Sequence, residues 1–431
     1  MQEKNVTEIL SELVKIKSIS SDKNHIADVK KSAEFVEKLF LELGLQTKIA
    51  TSGNSRPAVL AQTEINPDRK TVLLYAHHDV QPVGDINKWE TDPFNPEIIN
   101  GRLFGRGSGD NKAGVVIHHE VVKELMKDLP VNIKIFIEGE EEIGSPCMAE
   151  FLDEFNKELE ADVIVIADSG NIRIGTPTVT TSLRGLVDGF IEVDQPMRPV
   201  HSGVGGGVVP DAFMVLSKII ASFHNEKGEL QIEGLTSSDM DVLELKEEEI
   251  KKIFGSEDIN LFELDSISKR LWLEPALSIL AIDAPSTKEA VNLVIPNAKA
   301  KVSLRLPPTE DPEHAMKMLE EHIMKNVPWG ANVRFIPEAK GSGIVADPNK
   351  EFTKKLVQNF EEVFNTDAAY MGVGGSIPFA NDFVEKFPNA ELVLIGAADE
   401  EMGNAHAPNE SVQIRDIELL IESLIKTLKN I

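Results

Sequence analysis

Cysteine is almost missing from this 431-residue chain: Cys147 stands alone, so no intrachain disulfide can form. A single thiol fits a reducing compartment, and the expected location is the cytoplasm. Aromatic residues are scarce at 6%, and no apolar run approaches the length of a membrane-spanning helix. Met1–Ser21 mixes acidic and basic residues in an amphipathic pattern and contains no apolar signal core. Positive charge is also short. Lys and Arg total 44 against 71 Asp and Glu, a formal charge of −27. That balance argues against nucleic acid and anionic membrane as partners, because both demand the opposite sign. What remains is an ordinary globular composition, 42% hydrophobic, in a chain long enough for two domains.

The chain is organised around Ile137–Ser145, which reads IEGEEEIGS. An alternating run, Val131–Ile137, predicts a half-buried strand, and carboxylates crowd its end. Like charges this close repel unless cations or donors compensate them. Gly139 and Gly144 bracket the carboxylates where positive φ or close backbone approach would be needed. A strand that delivers carboxylates from its C-terminal end is a common way to hold a divalent metal.

Around this stretch the spacing predicts helices at 7–17 and 24–43, the second closed by Gly44. A nearly continuous apolar strand at 70–76 ends in His77-His78-Asp79. A glycine-rich turn, 105–110, leads into a helix at 112–127. A buried strand at 161–167 ends in Asp168. Strands alternating with helices predict an α/β sheet covered on both faces, with sites beyond the strands' carboxyl ends. The texture changes near Thr180. Alternating strands at 189–193 and 301–306 flank a helix at 212–223, and residues 226–266 form an acidic segment expected to be a solvated face. The α/β texture returns from about Pro348. The expected division is a discontinuous catalytic domain, 1–179 and 341–431, with an inserted α+β domain at 180–340.

Five stretches carry the chemistry. His77-His78-Asp79 is H-x-D at a strand end, where residues two apart face the same way, so Asp79 can orient the His77 imidazole. Asp110, Glu141, Glu142, Asp168 and His406 are the others. Each has a bland alternative, such as helix cap, turn residue or incidental loop histidine. Together they offer two imidazoles and three carboxylates for two metals, with one glutamate left for acid–base work.

In order and spacing the strings AHHDVQP (76–82), GRG (105–107) to DNK (110–112), EG (138–139) to GS (144–145), and GNAHAPNE (403–410) resemble one family over nearly the whole chain. It is the family of two-zinc metallopeptidases that includes carnosinase, cytosolic non-specific dipeptidase, aminoacylase and glutamate carboxypeptidase. The match looks closest to the carnosinase-like dipeptidase branch, through LRG (183–185), HSG (201–203) and SLRL (303–306).

The resemblance implies a mixed, mostly parallel catalytic sheet covered by helices, with 180–340 as a lid and dimerisation domain of a homodimer. It implies that His77 and Asp168 hold one metal, Glu142 and His406 the other, and that Asp110 bridges them through a peptide to Asn111 that is often cis. Glu141 would be the general base and Asp79 the partner of His77. His201 would reach the neighbouring subunit's site to stabilise the oxyanion. Arg305 would bind the substrate carboxylate, and Gly374, Gly375 and Ser376 would clamp the C-terminal residue. The implied reaction is hydrolysis of dipeptides or short peptides by a water held on two metals. Zinc is expected, with manganese or cobalt as alternatives, and N-acyl-amino-acid deacylation is the other hydrolytic option. A non-catalytic binding protein on this fold would be expected to lose Glu141 or a ligand, and none is missing. Two positions depart from the family pattern. Gly372-Val373 precedes the double glycine where relatives usually have an arginine two residues before it, and Leu293 stands where a polar residue is common.

Overall fold

The computed structural model describes residues 5–375 and 378–431. Ser376 therefore lies outside the described residues. Two sheets carry the architecture. In the larger, Asn132–Glu138, Thr71–His77, Val163–Ile166 and Glu391–Leu394 lie side by side and mutually parallel. Antiparallel flanks, Gln46–Ala50 with Ala58–Gln62 on one side and Thr178–Leu183 on the other, make the sheet mixed. Ala369–Val373 runs parallel to Thr178–Leu183. This is the mixed α/β sheet expected from the alternation of strands and helices.

The smaller sheet has the order Ala276–Asp283, Asn297–Leu306, Gly185–Asp194, Val333–Gly341, all antiparallel. Helices Ala212–Ser222 and Pro312–Lys325 pack on it around Val187, Leu216, Val302, Leu304 and Leu319. The chain leaves the larger sheet after Leu183 and re-enters it at Ile344.

Local chemistry explains the element ends. Asn5 caps helix Val6–Val14 reciprocally with Glu8, and Gly44, at φ 89°, stops helix Ile26–Glu42 one residue past Leu43. Asp211 and Asp311 cap the two helices on the smaller sheet. The scarce aromatics gather on one face of the larger sheet, where Tyr75 stacks on Phe379 at 4.4 Å and meets Phe136 and Phe383 edge-on.

Two local expectations change. Strand Asn132–Glu138 is buried at every residue, where alternation had predicted one wet face. Its polar residues are satisfied inside: Lys134 Nζ donates to the carbonyls of Lys157 and Glu160 at 2.7 Å each, and Asn132 Nδ2 to those of Asn66 and Arg69. The acidic segment 226–266 is also more than a solvated face. Leu245 and Ile250 bury against Trp272, Ile172 and Met371, so the segment straps the smaller sheet's region onto the larger sheet. Among the described residues no helix is long and apolar enough to cross a membrane.

Candidate metal centre

The parallel strands end on one edge of the sheet, and their last residues open the site. His77 closes Thr71–His77, and Asp168 follows Val163–Ile166 by two residues. The carboxylates after Asn132–Glu138 then divide into two sets. Glu138 turns inward and accepts a 2.6 Å hydrogen bond from Tyr75 Oη; burial pushes its carboxyl up to about 8. Glu140 accepts the N–H groups of Arg56 and Cys147. Glu141 and Glu142 remain for the site. The two glycines act as their positions suggested. A Cβ on Gly139 would stand 2.4 Å from Pro57 O and 2.9 Å from His78 Nε2, and Gly144 has φ 84°.

Asp110 lies between two groups. Its Oδ1 is 3.0 Å from His77 Nε2, which is also 3.3 Å from Asp168 Oδ1. Its Oδ2 is 2.9 Å from His406 Nε2, which is 3.2 Å from Glu142 Oε2. His77, Asp110 and Asp168 thus form one donor triplet, and Asp110, Glu142 and His406 a second, with Asp110 in both. Glu141 belongs to neither; its Oε2 lies 3.8 Å from His77 Nε2. The peptide between Asp110 and Asn111 is cis, and Asn111 Nδ2 donates to Ala167 O and to Asp168.

Asp79 does more than the strand pattern suggested. The His77 Nδ1 hydrogen bond goes to the backbone oxygen of Asp79 at 3.1 Å, with the carboxylate 3.4 Å away. That carboxylate accepts the N–H groups of Glu141 and Glu142, at 3.2 and 3.1 Å, and so fixes the turn bearing both glutamates. Gln81 holds Glu142 from the other side, its N–H donating to Oε1 at 3.0 Å.

Glu410, the last residue of GNAHAPNE, has a role that its motif does not announce. Glu410 is buried against Arg106, 2.6 Å away, and accepts the N–H groups of Gly107, Gly109 and Asp110. It ties the His406 loop to the glycine turn that presents Asp110. The order glycine turn, aspartate and distant glutamate gives no sign of this contact before the chain folds. Within the same loop Asn404, His406 and Asn409 all adopt left-handed backbone, at φ 50°, 61° and 64°. Three such non-glycine residues so close together mark a loop held in shape at some cost.

Electrostatics says what this cluster lacks. Burial, then Asp168, pushes the Glu141 carboxyl up to about 9; burial, then Asp110, brings Glu142 to about 7. Hydrogen bonds to Asp110 and Glu142 carry His406 up to about 10. Burial opposes charge on His77, but Asp168, Asp110 and Asp79 outweigh it and raise its pKa well above the usual value. The carboxylates compete for protons because two imidazoles cannot neutralise them. Glu142 Oε2 is buried and faces only the His406 ring nitrogen, 3.2 Å away, among the described residues. A buried carboxylate oxygen that faces only an imidazole, in a set of imidazole and carboxylate donors, fits divalent metal.

The remaining sequence-predicted residues stand elsewhere. His201 is exposed, with Nδ1 accepting the N–H of Gly203. Arg305 sits on Asn297–Leu306, and its buried Nη1 has no hydrogen-bond partner. Among the described residues neither lines the cleft that holds Asp110, Glu141, Asp168 and His406. Gly374 and Gly375 follow strand Ala369–Val373 as bends. Gly372 has a local reason: a Cβ there would stand 2.5 Å from Trp272 Cβ, so the indole side chain fills the space a larger residue would need. Leu293 is exposed and pairs with His201 across a short ladder.

A mixed α/β sheet whose strand ends present two imidazole–carboxylate triplets sharing an aspartate defines a metal-dependent hydrolase of dinuclear type. The model of the peptidase family M20/M25/M40 matches residues 73–430, and the chain belongs to that family. It is 32% identical to a cysteinylglycine-S-conjugate dipeptidase of Corynebacterium striatum over 95% of this chain and 91% of that one. It is 29% identical to a Beta-Ala-His dipeptidase of Mus musculus over 83% of this chain and 76% of the relative. The solved structure of an M20 family metallo-carboxypeptidase from Sulfolobus solfataricus superposes with a TM-score of 0.79 at 28% identity, covering 99% of each chain. The carnosinase-like resemblance seen in the motifs thus holds over the chain.

Proposed function

We propose that this chain is a dipeptidase, resident in the cytoplasm, working with two zinc ions as a homodimer. The observation that carries the reading is the pair of donor triplets sharing Asp110, with Glu141 beside them and outside both. His77, Asp110 and Asp168 would hold one ion; Asp110, Glu142 and His406 would hold the other. When bound, such ions make water acidic enough to attack near neutral pH and polarise the carbonyl under attack.

The chain's own groups do the rest. Glu141 takes a proton from the attacking water at Oε2 and passes it to the departing amine nitrogen. Asp79 keeps Glu141 in place through the backbone of its turn. Arg305, with an unpartnered buried Nη1 and Arg184 close by, takes the terminal carboxylate in a charge-assisted bond. That contact favours short substrates with a free carboxyl end. Gly374 and Gly375 flank the same end of the substrate.

Residues 1–179 and 341–431 act as the catalytic domain, and 180–340 as the lid through which two copies pair. The dipeptidase names of two relatives support the substrate class. The test is a panel of dipeptides and N-acetyl amino acids offered to the zinc-loaded enzyme. Dipeptides should be cleaved with kcat/KM at least about tenfold above the acylated series. Faster hydrolysis of the acylated compounds would make the protein a deacylase with the same site.

His201 tests the dimer. It lies outside its own chain's cleft, and a two-fold pair would let each copy complete the other. Glu141→Gln and His201→Ala, each inactive alone, should complement when co-expressed. Random pairing makes about half the dimers mixed, each with one intact site of two, so about a quarter of wild-type activity returns. Mixed dimers no more active than the separate variants would remove the shared site.

A further inference from the structure

The cleft that holds the metal triplets continues past them, with a volume of about 500 Å³. Its apolar lining is Ile253, Met371, Val373 and Ala398. Ile253 comes from the acidic segment of the smaller-sheet region and is pinned there by two ion pairs. Arg173 meets Glu249, and Lys252 Nζ lies 2.6 Å from Glu401.

Among the described residues, one acid lining the cleft, Glu400, has no cation. Asp399, Glu400 and Glu401 are consecutive acids, and the outer two have their cations. Asp399 Oδ2 is 2.8 Å from Arg102, and Glu401 takes Lys252 together with the N–H of Ile174. Glu400 is exposed to the cleft, and among the described residues nothing donates to its carboxylate; only its backbone N–H is engaged, with Asn171 O at 3.1 Å. The protein packed round the cleft, then neighbouring Asp399, pushes its carboxyl up. Among the described residues no lysine or arginine lines the cleft.

The position of Glu400 selects among cationic ligands. Parallel pairing sets Ala398 beside Gly170 and Asp399 beside Asn171, and the Glu400 N–H bonds to Asn171 O where the ladder ends. Asn171 is three residues, at most roughly 10 Å of chain, from Asp168. The α-ammonium of a dipeptide lies two bonds from the scissile carbonyl and stays near the triplets. A lysyl or ornithyl side chain extends beyond it, with methylenes for the apolar wall and an ammonium for its end.

We propose that this cleft receives the amino-terminal residue of the substrate and that Glu400 selects a cationic side chain there. The inference rests on the peptidase reading, in which Arg305, outside this cleft, takes the carboxyl end. Ile253 and its neighbours pack on the side-chain stem, and Glu400 pairs with the ammonium in a charge-assisted bond.

Lysyl-alanine and norleucyl-alanine test this on the metal-loaded enzyme, since norleucine supplies the same stem without the charge. The wild type should favour lysyl by about tenfold or more in kcat/KM. Glu400→Gln should collapse that ratio towards one, chiefly through a higher KM for lysyl-alanine. Glu400→Asp, which keeps the charge, should retain much of it and serves if the glutamine variant does not fold. A wild-type ratio near one, or a ratio unmoved by Glu400→Gln, overturns the assignment. If neither dipeptide is cleaved, the peptidase reading fails on its own. Calorimetric binding of lysinamide against norleucinamide then decides the Glu400 assignment: tighter lysinamide binding, lost in Glu400→Gln, upholds it, and equal binding ends it.

Discussion

Glu141→Gln is expected to lower kcat for dipeptide hydrolysis by about 10²-fold or more while leaving two metal ions per chain. The site's geometry gives the reason. Glu141 stands outside both donor triplets, its Oε2 3.8 Å from the nearer imidazole nitrogen, and its turn is held by backbone N–H groups that bond to Asp79. Replacing the carboxylate by an amide therefore keeps the turn and the donors but removes the only carboxylate beside the triplets that is free to take a proton. KM should change little, because the groups expected to hold the substrate are elsewhere. Glu142→Gln is the contrasting case. Glu142 closes the second triplet, with Oε1 fixed by Gln81 and Oε2 directed at His406, so its loss should release one ion as well as activity. Elemental analysis that found metal lost from the Glu141 variant and kept in the Glu142 variant would reverse the two roles.

Much of this site was legible because its residues sit at strand ends. His77 and Asp168 close apolar runs that could only be buried strands, and beyond the carboxyl ends of such strands an α/β sheet builds its sites. The same apolar periodicity placed the helices to within a few residues. What escaped notice depends on contacts between distant segments. Glu410 is about 300 residues from the turn it anchors, and nothing in a terminal Asn-Glu dipeptide announces that it will accept three backbone N–H groups. The burial of Lys134 was hidden because a lysine in an alternating strand looks like its wet face. Only the helix end at Lys157–Glu160 supplies carbonyls to receive it. The acidic strap misled for the opposite reason. Its carboxylates dominate the composition, yet Leu245, Ile250 and Ile253 decide where it packs. Charge marks what a segment shows to water, while its few large apolar residues determine what it covers.

Gly372 shows how a departure from a family pattern becomes local packing. Trp272 fills the space beside it and leaves no room there for a larger side chain. Met371 and Val373, on either side of Gly372, line the same cleft as Glu400.

Metal removal carries the other large expected effect. The two triplets and Glu141 gather four carboxylates round two imidazoles, an arrangement that cations bound only by the folded state would stabilise. Exhaustive chelation should therefore abolish dipeptide hydrolysis and lower Tm. The decisive measurement is the return of activity as zinc is added stepwise to the metal-free protein, with bound metal counted at each step. Hydrolysis and Tm should both recover, and recovery should saturate at two ions per chain. Full activity in protein shown to be metal-free would contradict the account.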